Sequence, residues 1–139
     1  MKKIGLICFS VVLLAGCSDQ KNYQQAVLQR IQQDQEAQKE LNIKDYDINV
    51  EHLAECVVDT STKNMHGIFP LDPTRMMEYR HYTKLLTFTK SEDPKKALEE
   101  LRNEFGSAKN VAEANANVTE SMLECYSAMI SDTEAELKK

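Results

Sequence analysis

Residues 107–130, SAKNVAEANANVTESMLECYSAMI, carry the clearest structural pattern in the chain and contain neither proline nor glycine. Six positions in this stretch recur at alternating intervals of four and three: Val111, Asn115, Val118, Met122, Cys125 and Met129. That spacing is typical of a helix that packs lengthwise against antiparallel neighbours in a bundle. With Ser107 as its cap, the predicted helix has about thirty residues and a length of roughly 45 Å. Asn115, the polar member, is expected to fix the register or to lie at the rim.

Two helices are predicted before this one by their start signals. Asp72-Pro73 and Asp93-Pro94 each place a capping carboxylate directly before a proline, which is tolerated in the first helical turn. The helix after Pro73 has apolar side chains on two faces, so we expect it to be the central helix. The helix after Pro94 should end at Gly106, a residue type that commonly closes helices.

Two further helices are predicted in the first half of the chain. Residues 21–41 contain no glycine or proline, and Ser18 or Asp19 can cap a helix there. A turn at 42–47 follows, and Asp45 or Asp47 is the predicted cap of the next helix. The apolar stripe of that helix comprises Val50, Leu53, Ala54, Val57 and Val58. Together these patterns predict an all-α fold, a small bundle of four to five helices.

The N-terminus has the features of a secretory leader. Lys2 and Lys3 precede an apolar run at 4–15 that is too short to cross a bilayer comfortably. The segment Leu14-Ala15-Gly16-Cys17 resembles the lipobox of bacterial lipoprotein precursors. The resemblance implies a signal peptide at 1–16, a lipid-modified Cys17 as the first mature residue, and a lipid-anchored domain at 17–139. Ser18, in place of Asp, favours the periplasmic face of the outer membrane over the inner membrane.

The cysteines point to a disulfide. Cys8 is removed with the leader and Cys17 carries lipid, so only Cys56 and Cys125 remain in the mature domain. In an oxidising periplasm, two remaining cysteines are most simply explained by a bond between them. The alternative is a pair of free, reactive or metal-binding thiols.

Charge and glycine content exclude several classes of function. Without the leader, which carries Lys2 and Lys3 but no acid, 15 basic and 22 acidic residues leave a formal net charge of −7. An acidic protein of this kind is not expected to bind nucleic acid. Only Gly67 and Gly106 remain, so no phosphate loop, dinucleotide fingerprint or nucleophile elbow can form. We therefore expect neither an enzyme nor a cofactor.

An apolar segment interrupts the connection between the second and third helices, at 60–73. Ile68, Phe69 and Leu71 stand between Gly67 and Pro73. A buried segment of this kind would cover one end of the bundle, and that is the role we expect. An exposed one would be a docking surface for a partner.

A group of methionines and histidines is the best candidate for a metal site. It comprises Met65, His66, Met76, Met77 and His81, and is called the Met/His group below. Thioether and imidazole ligands suit copper(I), and Met77 and His81 lie one helical turn apart. Methionines that fill the core, with a histidine at its edge, explain the same residues more simply.

These observations predict a small envelope lipoprotein that acts as a non-catalytic interaction module, either an accessory protein, an inhibitor or an exclusion factor. The lipid on Cys17 would hold it at the membrane, where an envelope protein would be its partner. The alternative is a periplasmic copper-binding protein that uses the Met/His group, with Met77 and His81 as ligands.

Overall fold

A computed structural model describes the backbone of residues 5–40 and 48–136 and the side chains of 18–39 and 48–133. Within these ranges the fold is all-α, as predicted, with five helices and no strand. They are α1 (Gly5–Glu40), α2 (Val50–Thr62), α3 (Pro73–Thr87), α4 (Pro94–Glu104) and α5 (Ala108–Glu136), with a short 3₁₀ turn at Phe88–Lys90 after α3. None of these helices combines the length and the apolar character that a membrane crossing requires.

Three helix starts occur where the sequence predicts them. The Asp72 and Asp93 carboxylates accept hydrogen bonds from the first turns of α3 and α4. The Ser107 hydroxyl accepts one from the backbone N–H of Asn110 at the start of α5. Each of these residues satisfies a backbone donor that has no partner within its own helix. Gly106 adopts a φ of +81° between α4 and α5, as a helix-closing glycine commonly does.

Two predicted helix starts are wrong. Asn49 caps α2 by accepting from the backbone N–H of His52, whereas the predicted caps Asp45 and Asp47 lie outside the described residues. Asn49 is a good cap and directly precedes the first turn of the apolar stripe. Helix α1 does not begin at Ser18 or Asp19, because it runs without a break from Gly5 through both residues. The predicted domain boundary at residue 17 stays a prediction.

The helices form a bundle around one core. Helix α1 packs against α2 on one side and α3 on the other, α2 packs against α5, and α4 contacts both α3 and α5. The buried apolar residues are Tyr23, Ala26, Val27, Ile31, Ile48, Leu53, Ala54, Val57, Val58, Met65, Tyr79, Tyr82, Leu85, Leu101, Val111, Ala114, Val118 and Cys125. They include four of the five members of the predicted stripe of α2, all but Val50.

The predicted disulfide is confirmed. The Cys56 and Cys125 sulfur atoms lie 2.02 Å apart and the two Cα atoms 5.9 Å apart, so the bond joins α2 to α5. The two cysteines are separated by 69 positions in the sequence. In the chain-entropy model, a crosslink of that length contributes about 4 kcal/mol to stability.

The predictions for α3 and α5 require correction. Helix α3 packs mainly against α1 and also contacts α4 and α5, but one of its apolar faces is partly open to solvent, since Met77 is 44% exposed. In α5, Ala114 and Ser121 are buried, whereas Asn115 is exposed and so lies at the rim. The contact face of α5 is therefore rotated relative to the predicted stripe. Two of the buried residues on this face, Ala114 and Ser121, are small.

Candidate functional site

The loop between α2 and α3 exposes three large apolar side chains. Ile68 is 93% exposed, Phe69 54% and Leu71 43%. We call these three residues the apolar tip. The expectation that this segment covers the end of the bundle is wrong, because its side chains point into solvent. Large apolar side chains clustered at the surface are typical of sites of contact with other molecules.

Asp72 holds the backbone of the apolar tip. One carboxylate oxygen accepts from the backbone N–H of Ile68 at 3.0 Å, and the other accepts from that of Thr74 at 2.9 Å. The Asp72 backbone N–H also donates to the Phe69 carbonyl at 3.0 Å. The hydrogen bonds from Ile68 and Thr74 lower the pKa of the Asp72 carboxyl group. The same side chain therefore closes the loop and caps α3.

Arg75 holds the loop from its other side. Its guanidinium donates to the carbonyl oxygens of Thr62, at the end of α2, and of Gly67. Gly67 adopts a φ of +103°, and a Cβ atom there would lie 2.8 Å from the Cβ of Arg75. Only glycine fits this position, both because of the backbone conformation and because α3 approaches so closely. The loop is thus a fixed platform for the apolar tip.

A polar network ties the base of this loop to the bundle. The Tyr23 and Ser61 hydroxyls lie 2.8 Å apart, in contact between α1 and α2. The Asn117 amide on α5 donates to the Ser61 carbonyl and to the Tyr82 hydroxyl, each at 3.0 Å. It also accepts from Asn64, just beyond α2, at 3.0 Å. One side chain on α5 therefore connects α2, α3 and the first part of the loop.

Burial changes the ionisation of two tyrosines in this network. Desolvation raises the pKa of Tyr23 far above its ordinary value, and that of Tyr82 in the same direction. The hydrogen bonds with Ser61 and Asn117 oppose this effect without cancelling it. Both rings also pack against each other, edge to face, with centroids 5.7 Å apart. At neutral pH both groups are therefore uncharged parts of the core.

This network was not predicted from the sequence. Asn117 was not expected to contact other helices, because it lies one position away from the predicted stripe. A signal was available: with Ala114 and Ser121 taken as core positions, Asn117 lies at the edge of the contact face, three residues after one and four before the other. No sequence pattern could have identified Ser61 or Tyr82 as its partners.

The structure divides the Met/His group. His66, Met77 and His81 line one cleft of about 620 Å³, together with Glu78 and Glu104. Each histidine is already near a carboxylate: His66 Nδ1 lies 3.1 Å from Glu78 and His81 Nε2 lies 3.9 Å from Glu104. In the described part of the chain, no three His, Cys, Asp or Glu side chains converge in an arrangement that could hold a metal ion.

The other two members of the Met/His group lie apart from that cleft. Met65 is buried in the core, and Met76 is half-buried in the first turn of α3. His52 and Cys56 lie one helical turn apart on α2, but Cys56 is in the disulfide, so its thiol is not available to a metal. Only Met77, His81 and His66 are therefore near one another.

The apolar tip lies at the end of the bundle to which the N-terminal segment leads. The side chains of Asp19 and Arg80 are 3.7 Å apart, so the part of α1 around Asp19 lies beside the middle of α3. Tyr23 contacts Ser61 in the last turn of α2. The loop that joins α2 to α3 is therefore at the same end as Cys17, which precedes Asp19 by two positions. The side chain of Cys17 itself is outside the described residues.

Neither a protein-family model nor a curated protein nor a solved structure matches this chain. Functional inference therefore depends on the molecule's own features: the apolar tip with the backbone contacts that hold it, and its position relative to Cys17.

Proposed function

We propose that this protein is a small envelope lipoprotein that acts as a non-catalytic interaction module, as an accessory protein, an inhibitor or an exclusion factor. Residues 1–16 are its signal peptide, and the lipid on Cys17 holds the domain at the periplasmic face of the outer membrane. Its partner is an envelope protein that lies at the same membrane surface.

The observation that carries this proposal is the apolar tip on its fixed platform. Burial of one large apolar side chain is worth about 1.5–3 kcal/mol, which a domain of this size would gain by folding the loop inward. The hydrogen bonds of Asp72 and the guanidinium of Arg75 hold the loop outward instead. A rigid apolar surface of this kind suits contact with another molecule, because little conformational entropy is lost on binding.

Location and charge are consistent with this proposal. The apolar tip is at the Cys17 end of the bundle, so the domain's main exposed apolar loop is directed toward the anchored side. The net charge of −7 in the mature chain disfavours nucleic acid as a partner and makes a purely electrostatic attachment to anionic lipid unfavourable. A covalent lipid supplies the attachment that charge cannot.

The test is crosslinking in native membranes, followed by purification of the acylated protein and mass spectrometry of what is attached to it. We expect one dominant envelope protein. The matched control carries a conventional cleavable signal peptide and Ser at position 17, so that the same domain is exported without lipid. It should lose most of the crosslinked partner. Turnover of a substrate by the purified protein at an ordinary enzymatic rate would contradict the proposal.

Copper binding is the alternative function, and one observation favours it: His66, Met77 and His81 line the same cleft. The purified protein would be loaded with copper(I), dialysed and analysed for metal. Stoichiometric copper that is lost in the Met77→Ala/His81→Ala variant would support this alternative. Copper absent after dialysis, or retained equally by the variant, would eliminate it.

A further inference from the structure

We infer that Ile68, Phe69 and Leu71 insert into the lipid bilayer to which Cys17 is attached, and so form a second, non-covalent anchor that orients the domain. This inference rests on the proposed lipid modification of Cys17. It names the bilayer as the molecule that the apolar tip contacts, so the envelope protein of the proposed function would bind another face of the domain that the tip orients.

The first step is that α1 and α3 run side by side in the same direction. Three contacts occur in the same order along α1 and along α3 with the 3₁₀ turn that follows it. Asp19 lies 3.7 Å from Arg80, the Tyr23 ring lies 5.7 Å from that of Tyr82, and the Lys90 amine donates to Gln29 at 3.0 Å. The offset between the two partners is 59 to 61 positions in every pair. Positions along the axis of α1 can therefore be compared directly with positions along the axis of α3.

The second step places the apolar tip beyond Cys17. Seven positions separate Arg80 from Pro73, so α3 begins about 10 Å beyond the level of Asp19 at 1.5 Å per residue. Cys17 precedes Asp19 by two positions, which is about 3 Å on the same scale. The start of α3 thus extends roughly 7 Å further in the direction of the anchor than the Cys17 backbone, and the apolar tip is hydrogen-bonded to this start through Asp72. Apolar faces of interfacial segments are buried about 5–10 Å into a bilayer.

The third step concerns charge. The segment 63–80 contains Lys63, Arg75 and Arg80 against two acids, Asp72 and Glu78, for a formal net charge of +1. The mature chain as a whole carries −7. The segment that carries the apolar tip therefore does not share the acidic excess of the whole chain, which limits its electrostatic repulsion from anionic headgroups. Both acids are also engaged, Asp72 with backbone N–H groups and Glu78 with His66.

Geometry favours lipid over a protein at this position. A domain attached through Cys17 with the shortest possible tether stands directly on the membrane. A periplasmic protein could reach the apolar tip only by entering the space between the domain and the lipid. The bilayer occupies that position already, and it accepts apolar side chains without any specific complementarity.

The absence of tryptophan from this chain makes a direct test possible. Phe69→Trp, and separately Ile68→Trp, introduces a single fluorophore at the tip. Each acylated full-length mature protein is reconstituted into vesicles of phosphatidylethanolamine and phosphatidylglycerol, with and without brominated acyl chains. The matched control is Leu123→Trp, because Leu123 is 71% exposed on α5, away from the loop. Retention of the disulfide and of the helical circular dichroism signal shows that each variant is folded.

We expect blue-shifted emission and strong quenching by brominated lipid for both tip variants, and water-like emission without quenching for Leu123→Trp. Acylated tip variants that remain accessible to aqueous iodide and unquenched by brominated lipid would overturn the inference. So would a blue shift that appears only when a co-purified envelope protein is added, since it would assign the apolar tip to a protein. The mass of the N-terminal peptide keeps the two proposals separate: an unmodified Cys17 contradicts the proposed function, whereas an acylated protein with an exposed tip contradicts only this inference.

Discussion

Reduction of the Cys56–Cys125 disulfide is the perturbation whose size follows most directly from the structure. The bond joins α2 to α5 across 69 positions. Reduction removes no heavy atom, so it opens no cavity, although the two sulfur atoms must move apart; its main effect is to release the constraint on the unfolded chain. The chain-entropy model gives about 4 kcal/mol for a loop of this length. That amount is a large part of the stability of an ordinary domain.

The assay is urea denaturation of the protein in mild detergent, with and without reductant. Circular dichroism monitors the loss of helix. For a denaturant slope of about 2 kcal/mol/M, the midpoint should fall by roughly 2 M on reduction. The Cys56→Ala/Cys125→Ala variant is the control: it should be at least as unstable as the reduced protein and insensitive to reductant. Equal midpoints for the oxidised and reduced proteins would refute the reasoning, because they would mean that the bond is absent or does not restrict the unfolded chain.

Three further predictions concern the platform and the network beneath it. Gly67→Ala should destabilise the protein by about 2–3 kcal/mol in the same assay, and the control Gly106→Ala by about 1 kcal/mol. Both glycines have a positive φ, but only Gly67 lies against the backbone of another segment. Equal effects would contradict the close approach. Asn117→Ala should cost about 2–3 kcal/mol by leaving buried polar groups without a partner, and exposed Asn115→Ala less than about 0.5 kcal/mol. Burial raises the pKa of Tyr23 in the folded protein, so the Tyr23 hydroxyl loses its proton at a lower pH in the unfolded chain than in the folded one. The contribution of Tyr23 to the free energy of unfolding is therefore fully present below about pH 10 and falls as the pH rises further. Tyr23→Phe should reduce that fall, and an unchanged alkaline profile would show that Tyr23 is not responsible for it.

Local signals were enough to predict most of the fold. The Asp72-Pro73 and Asp93-Pro94 starts and the Ser107 cap each depend on a few adjacent residues, so they operate before any tertiary contact exists. The disulfide could be predicted by elimination, because the predicted leader and the predicted lipid modification account for Cys8 and Cys17. These predictions required no knowledge of which helix lies beside which.

Predictions that depended on the choice of a neighbour were less successful. Helix α3 was expected to be central because both of its faces carry apolar residues, but Met77 on one of them is exposed. The stripe of α5 was placed on Asn115, whereas Ala114 and Ser121 face the core. Small residues fit where two helices approach closely. A search for periodic hydrophobic residues does not detect them, because Ala and Ser are only weakly hydrophobic or polar.

The sequence by itself determined the helical class, the order of the helices and the identity of the crosslinked cysteines, because helix caps, periodicity and cysteine number are local or countable properties. The tertiary structure alone decided that Ile68, Phe69 and Leu71 are exposed, that they lie at the Cys17 end, and that Asn117 joins α2 to α3. An apolar run is equally suited to cover a core or to project from it. Which of the two occurs depends on the local hydrogen bond of Asp72 with Ile68 and on those of Arg75 with Gly67 and with Thr62, and only the tertiary structure brings Arg75 to Thr62 at the end of α2.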